Sequence, residues 1–293
     1  MNYDSDNFIG VFDSGFGGIS VLNNLIDLMP YENYVYYADS NHFPYGRKDK
    51  KDLVKIGKNI ISRFYKREAK TVVIACNTMS TSDMPAFNKK FLELKIIGTY
   101  PNFAPLLTSG LVLTNQTIIY DKENRISITR NRKKLLIIAT TATCKSDYLS
   151  ELTSNAESFM SVYVESANYI VHAVENNELD SYEFKNKLKD FFKEYMDIDF
   201  LLLGCTHFSF AIDAIREVLG DKVKILSSGD IAANDCYKYL SSKNLLHKNL
   251  SPYIDIIDAN IDEDKMQVYK RLISIPNNTH EISFSKTFKK VRQ

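Results

Sequence analysis

Thr71-Val72-Val73-Ile74-Ala75-Cys76-Asn77-Thr78 and Phe200-Leu201-Leu202-Leu203-Gly204-Cys205-Thr206-His207 decide the fold. Each is a short, unbroken apolar run that ends in a cysteine followed by small polar residues. Such runs read as strands buried on both faces, as in parallel sheets. In open α/β sheets, ligands bind outside the carboxyl ends of the strands. Both thiols therefore fall where a substrate would sit. Two thiols from two parts of the chain could face one ligand from opposite sides. That suits an enzyme that removes a proton from one face of a carbon and returns one to the other.

Working outward, further strand candidates appear at Phe8–Phe12, Asn33–Ala38, Lys95–Thr99, Lys134–Ala139, Met160–Val164 and Lys222–Leu226. Helical patterns lie between them, at Lys50–Lys66, Asn168–Glu175, Phe184–Tyr195 and Ala211–Leu219. The alternation predicts α/β architecture, with parallel sheets covered by helices. The halves also overlay. Asp13-Ser14-Gly15 meets Thr141-Ala142-Thr143, Asp39-Ser40 meets Glu165-Ser166, and Cys76-Asn77-Thr78 meets Cys205-Thr206-His207. From 13 to 141, 40 to 166 and 76 to 205 the offset stays between 126 and 129 positions, which predicts an internal duplication with a pseudo-twofold axis. Residues 111–120 and 125–129 alternate around Asp121-Lys122-Glu123-Asn124 and read as an inserted β-hairpin, at about 111–130. Asn277–Gln293 carries Lys286, Lys289, Lys290 and Arg292 and reads as a loosely packed, solvated tail.

Composition narrows the class. The chain has 293 residues, 44% hydrophobic and 25% charged, with a net charge of +1. That is ordinary for a globular protein of one large or two smaller domains. Near-neutral charge implies no bulk attraction to nucleic acid or membrane. The polar, acidic start does not read as a signal peptide, and no apolar run approaches the about 18 residues that span a bilayer. The expectation is a cytoplasmic protein with no membrane association. Its four cysteines, Cys76, Cys144, Cys205 and Cys236, match no metal-site spacing and are expected to be free thiols. Cys144 and Cys236 read as structural, as do His42, His172, His247 and His280.

Gly10-Val11-Phe12-Asp13-Ser14-Gly15-Phe16-Gly17-Gly18 is a strand, a polar turn and a glycine-rich helix entry. Glycines there could form a phosphate cradle, but the spacing is neither a P-loop nor a dinucleotide fingerprint. Asp13 and Ser14 stand out more, as groups that could meet a substrate ammonium or assist a thiol. Pro44-Tyr45-Gly46 could close over a small ligand with backbone N–H groups. A thiol at a helix N-terminus is expected to have its pKa lowered, which would make thiolate accessible near neutral pH. His207 could poise Cys205 or protonate a substrate, and Glu175 could orient His207 or simply be solvated.

Gly10–Gly18, Tyr37–Arg47, Val73–Thr81, Ile97–Pro105, Ala139–Ser146, Tyr169–Glu175 and Leu202–Phe208 together resemble the glutamate racemase family, within the aspartate/glutamate racemase superfamily. The resemblance spans about residues 8–240. It implies a racemase that uses no cofactor and no metal, interconverts L- and D-glutamate, and supplies D-glutamate for peptidoglycan. By position, Cys76 and Cys205 match the two catalytic cysteines. Cys76 would take the α-proton from D-glutamate and Cys205 from L-glutamate. Asp13 and His207 match assisting groups and Glu175 a supporting carboxylate. Asp13, Ser14, Pro44, Tyr45, Gly46, Asn77, Thr78, Thr143, Thr206 and His207 match positions that line the substrate. The expected architecture is two pseudo-symmetric flavodoxin-like lobes with the active site in the cleft between them. Residues 1–99 with 213–293 would form lobe one, and 100–212 lobe two. A homodimer is expected from the resemblance. Gly98–Pro105 departs from many members, with added bulk at Tyr100 and Phe103. An aspartate racemase and a catalytically silent member that binds an acidic ligand or a protein are the alternatives.

Overall fold

A computed structural model describes residues 7–108, 115–120, 126–276 and 279–288. The first lobe opens with β1 (Ile9–Asp13), α1 (Ile19–Leu28), β2 (Tyr34–Ala38), α2 (Lys50–Tyr65), β3 (Thr71–Ile74), α3 (Asn77–Lys90) and β4 (Lys95–Gly98). The chain then passes to the second lobe through α4 (Ala104–Thr108), β5 (Asn115–Tyr120), β6 (Ile126–Asn131), β7 (Lys134–Ala139), α5 (Thr141–Cys144), α6 (Asp147–Ala156) and β8 (Ser161–Ser166). It continues through α7 (Asn168–Glu175), α8 (Tyr182–Phe192), β9 (Phe200–Gly204), α9 (Ile212–Leu219) and β10 (Lys224–Leu226). It returns to the first lobe as α10 (Gly229–Ser242), β11 (Tyr253–Asp258), α11 (Glu263–Leu272) and β12 (Glu281–Ser285).

Both main sheets are parallel throughout. Their orders are β12-β11-β2-β1-β3-β4 and β10-β9-β7-β8. Read from the other end, the second is β8-β7-β9-β10, the counterpart of β2-β1-β3-β4. The duplication legible in the sequence is thus a duplicated topology, of the flavodoxin type. In each sheet the winding reverses between the first strand of the half and the third, at β1/β3 and β7/β9. That reversal opens a crevice at the strand ends.

Strands and helices form for local reasons. β1, β2, β3 and β9 are buried along their whole length, so they tolerate apolar side chains on both faces. On α2, Leu53, Ile56, Gly57, Ile60, Ile61 and Phe64 recur at helical spacing and form one buried face. Asp49 caps that helix by accepting from the Asp52 N–H at 2.8 Å. Beneath the sheet, Lys70 and Glu32 form a fully buried ion pair, and Lys70 Nζ also donates to the Leu245 carbonyl at 2.9 Å. Glu32 in turn accepts the His247 N–H at 2.7 Å. The pair ties residues 245–247 to the base of β2 and β3.

Two sequence expectations change here. The C-terminal segment is not a loose tail as far as it is described. Glu281–Ser285 pairs with β11 in register from Tyr253↔Glu281 to Ile257↔Ser285. Beyond that strand, Phe288 stacks on Tyr37 at 5.1 Å and meets Phe64 edge-on at 5.3 Å. The strand alternates Ile282 and Phe284 against polar residues, as an edge strand does. Lys289, Lys290 and Arg292 lie outside the described residues. Second, β10 pairs with β9, so the four-stranded sheet draws on the chain as far as Leu226 and a division at 212/213 would cut through it. The expected hairpin is present as β5 paired antiparallel with β6, while residues 111–114 and 121–125 lie outside the described residues.

Candidate active site

The candidate catalytic groups sit at the two winding reversals. Asp13 ends β1, Cys76 follows β3 and caps α3, Thr140 follows β7, and Cys205 follows β9 and precedes a short 3-10 turn at Thr206–Ala211. Between the lobes these strand ends border a narrow cavity. Cys76 and Cys205 both line it, one from each lobe, together with Ser14, Pro44, Tyr45, Gly46, Thr78 and His207. Both thiols are buried and free.

Behind each thiol stands an ionisable group. On the first lobe, the Asp13 carboxyl is wholly buried and hydrogen-bonds with Cys76. It also accepts from the Ser14 N–H at 2.6 Å and the Thr206 hydroxyl at 2.8 Å. Burial raises the Asp13 pKa despite those donors and the nearby His207. On the second lobe, His207 Nδ1 lies 3.7 Å from Cys205 Sγ, and His207 Nε2 lies 2.7 Å from Glu175 Oε1. The same carboxylate oxygen accepts the Phe16 N–H at 2.6 Å, so Glu175 is a working partner and not a solvated helix carboxylate. Burial alone pushes the His207 imidazole down, but its hydrogen bonds and charge interactions with Cys205 and Glu175 outweigh this and raise it well above the usual value.

The helix N-terminus does not lower Cys76 as expected. Burial raises its thiol well above the ordinary value, and the adjacent Asp13 carboxylate adds to the rise. Desolvation outweighs a dipole that contributes only about 0.3–1 kcal/mol. The glycine turn also differs from the expected cradle. A Cβ on Gly15 would run into the Glu175 carboxylate, and one on Gly17 into the His207 ring. These glycines let the β1–α1 turn of one lobe lie directly on the histidine–glutamate pair of the other.

The remaining expected residues divide by depth. Thr78 Oγ1 lies 2.8 Å from Thr140 Oγ1 and 3.2 Å from Thr143 Oγ1, and Thr140 and Thr143 are 3.0 Å apart. This hydroxyl trio bridges the lobes and can turn its donors to a carboxylate. Asn77 is buried behind Cys76, and its Nδ2 reaches the Thr99 carbonyl at 3.2 Å and Ser228 Oγ at 3.0 Å. It thereby clamps both interlobe crossovers. Thr206 is occupied by Asp13. Tyr45 donates its hydroxyl to Asp39 at 2.7 Å, which fixes the Pro44–Gly46 turn over the cavity. Among the described residues there is no group of three or more His, Cys, Asp and Glu arranged to hold a metal ion.

Sequence reasoning missed Arg47, Thr140, Asn168, Val171 and His172, all of which line the cavity. His172 read as structural because it sits within an apolar helix. Thr140 escaped because the overlay of the halves set Thr141, not Thr140, against the end of β1.

Fold and site together define a class: a two-lobed α/β protein with one buried thiol from each lobe at a shared interlobe cavity. Comparisons with known proteins make it specific. The chain is 32% identical over 241 residues to a glutamate racemase of Campylobacter curvus, covering 82% of this chain and 85% of that one. It is 30% identical over 270 residues to one of Clostridium botulinum, covering 90% and 96%. The chain belongs to the glutamate racemase family. The crystal structure of the Francisella tularensis glutamate racemase in complex with D-glutamate has the same fold, with a TM-score of 0.73, 24% identity and coverage of 96% and 98%. No protein-family model matches the sequence.

Proposed function

We propose that this chain interconverts L- and D-glutamate by passing the α-proton between two thiols, with Cys205 acting on L-glutamate and Cys76 on D-glutamate. The observation that carries this reading is the arrival of Cys76 and Cys205 from opposite lobes at one cavity. Each has its own proton-handling partner, Asp13 for Cys76 and the His207–Glu175 pair for Cys205.

The raised Cys76 value keeps its proton on sulfur before substrate arrives. An imidazolium at His207 stabilises negative charge on the Cys205 sulfur. That is the state suited to L-glutamate. Cys205 takes the α-proton, Cys76 delivers its own to the opposite face, and D-glutamate leaves. The enzyme is left with a Cys205 thiol and a Cys76 thiolate, the state suited to the return reaction. Asp13, whose pKa is raised, can hold a proton toward that thiolate. The carbanion-like transition state needs donors placed in advance around the α-carboxylate. The Thr78–Thr140–Thr143 hydroxyls and the Ser14 side chain are the candidates in reach. Enclosure between the lobes excludes water and strengthens those contacts.

The family places such an activity in the supply of D-glutamate for peptidoglycan, and we infer the same role here, in a cytoplasmic homodimer. Among the described residues no helix is long and apolar enough to cross a membrane. Proton NMR in deuterated water with circular dichroism tests the function. Loss of the L-glutamate α-proton signal with decay of optical activity supports it. Turnover of aspartate alone would change the substrate, and no exchange in a folded sample would indicate a silent binding protein. Light scattering tests the dimer.

A further inference from the structure

Tyr36 stands in the middle of β2, fully buried, and its hydroxyl donates to the Gly15 carbonyl at 2.6 Å. The next backbone group, the Phe16 N–H, donates to Glu175 Oε1 at 2.6 Å. That carbonyl and that N–H belong to one peptide unit. The unit is planar, with its two polar bonds pointing opposite ways, so a group that fixes the oxygen also aims the hydrogen. A continuous chain results: the Tyr36 hydroxyl, the Gly15–Phe16 peptide, Glu175, His207 and Cys205. It begins in the first lobe and ends at the thiol of the second. Along it, Glu175 Oε1 lies 2.7 Å from His207 Nε2, and His207 Nδ1 lies 3.7 Å from Cys205 Sγ.

The surroundings leave this peptide little freedom. A Cβ on Gly15 would overlap Glu175, and one on Gly18 would reach the Tyr36 hydroxyl. The Phe16 ring packs edge-on against Tyr269 at 4.7 Å, and the Tyr269 hydroxyl donates to Asp258 at 3.1 Å. Burial raises the Tyr36 phenol well above its usual value, so it keeps its proton and remains a donor. Hydrogen bonds in such a chain polarise one another in a low-dielectric interior. A carbonyl that accepts from Tyr36 makes its N–H the better donor to Glu175, which keeps the carboxylate ionised and its oxygen on the His207 ring. Tyr34, two positions earlier on the same face of β2, is a useful contrast. Its buried hydroxyl lies 2.8 and 2.9 Å from the Leu25 and Met29 carbonyls, at the far end of α1. Those bonds serve helix packing and lead to no cavity residue.

We propose that Tyr36 is a positioning residue for the reaction: through the Gly15–Phe16 peptide it holds Glu175, and thereby His207, on Cys205. Tyr36 lies outside the residues that line the cavity, so it acts on the substrate only through this chain. This rests on the racemase reading above and extends its machinery by one residue.

Tyr36→Phe removes the hydroxyl and keeps the ring. The test measures kcat and KM for both glutamate enantiomers by circular dichroism, in the wild type, Tyr36→Phe, Glu175→Gln, the double variant and Tyr34→Phe. Loss of one buried hydrogen bond, expressed in the transition state, should lower kcat/KM about 3- to 10-fold in Tyr36→Phe, mostly through kcat. In the Glu175→Gln background the same change should cost less than about 2-fold, because the two residues act along one chain. Tyr34→Phe should lower Tm and leave kcat/KM unchanged. A spectroscopic readout accompanies the rates. Gly15-Phe16 is the one Gly-Phe step in the sequence, so isotope labels on glycine carbonyls and phenylalanine amides pick out a single NMR signal. The Phe16 amide proton should move upfield in Tyr36→Phe and hold its place in Tyr34→Phe. Losses from Tyr36→Phe and Glu175→Gln that simply multiply in the double variant would overturn the proposal. So would a Phe16 signal that does not move, or equal rate losses in Tyr36→Phe and Tyr34→Phe. A folded wild type that racemises neither enantiomer would instead overturn the racemase reading and, with it, this role for Tyr36; the amide signal would still show whether the contact exists. Thermal melts of each variant separate loss of function from loss of fold.

Discussion

Glu175→Gln isolates the charge behind Cys205 with little change in shape. Glu175 Oε1 meets His207 Nε2 at 2.7 Å and the Phe16 N–H at 2.6 Å. Its side chain is 15% exposed, so solvent screens it little. A glutamine oxygen can still accept both bonds, and what is lost is the charge. Hydrogen bonds to charged groups contribute about 1.5–3 kcal/mol and neutral ones about 1, so the substitution should cost about 1–2 kcal/mol. If that difference is expressed in the transition state, kcat/KM falls about 5- to 30-fold. The equilibrium constant of a racemisation is one, so kcat/KM must fall equally for both enantiomers even though only one sulfur is touched. Any asymmetry can appear only in kcat and KM separately. Stability supplies a second readout. The folded His207 value is raised above that of the unfolded chain. The stabilisation this brings is complete below the unfolded imidazole value, about pH 6.5, and fades as pH rises through the folded value. Glu175→Gln removes part of that rise, so its deficit in melting temperature should be largest at about pH 5.5–6.5 and shrink as the pH rises into the alkaline range. A wild-type kcat/KM, or a deficit that widens with pH, would refute the coupling of Glu175 to His207.

Other expected outcomes follow from the same contacts. Gly17→Ala should abolish racemisation while the fold survives, because its methyl group meets the His207 ring and the Thr206 hydroxyl; circular dichroism spectra and rates check both. Lys70→Met leaves Glu32 buried without its partner and should cost about 3–5 kcal/mol, seen as a fall in Tm of about 6 °C or more with kcat/KM unchanged. Phe288→Ala removes the ring that Tyr37, Phe64, Arg63 and Arg67 pack on, and should lower urea stability by about 1–2 kcal/mol at this half-buried site.

Much of the architecture was legible because parallel strands advertise themselves. Val72-Val73-Ile74 and Leu201-Leu202-Leu203 are buried on both faces and need no partner to be recognised. The placement of the candidate site was legible for a related reason. Winding reversals bring strand ends together, so Asp13, Cys76 and Cys205 were already marked by following apolar runs. β11 and β12 were missed. Tyr253–Asp258 interleaves Asp255 with its isoleucines, and Glu281–Ser285 is a short edge strand beside a basic cluster. Neither carries the unbroken apolar signature of the central strands. The Lys70–Glu32 pair joins residues 38 positions apart in sequence and depends on packing that no local pattern encodes. The same holds for the raised Cys76 value. A dipole can be read from position in sequence, but the depth of burial that overrides it cannot. Arg47 and His172 lie 125 positions apart and meet only because the lobes face each other.

The central claim is that each thiol serves one face of the α-carbon. The most direct measurement is α-proton exchange of L- and D-glutamate in deuterated water with Cys76→Ala and Cys205→Ala, followed by proton NMR. Cys76→Ala retains Cys205 and should exchange L-glutamate with retention of configuration, leaving D-glutamate untouched. Cys205→Ala should do the reverse, and neither variant should racemise. Exchange of both enantiomers by either single variant, or racemisation without one of the sulfurs, would contradict the account.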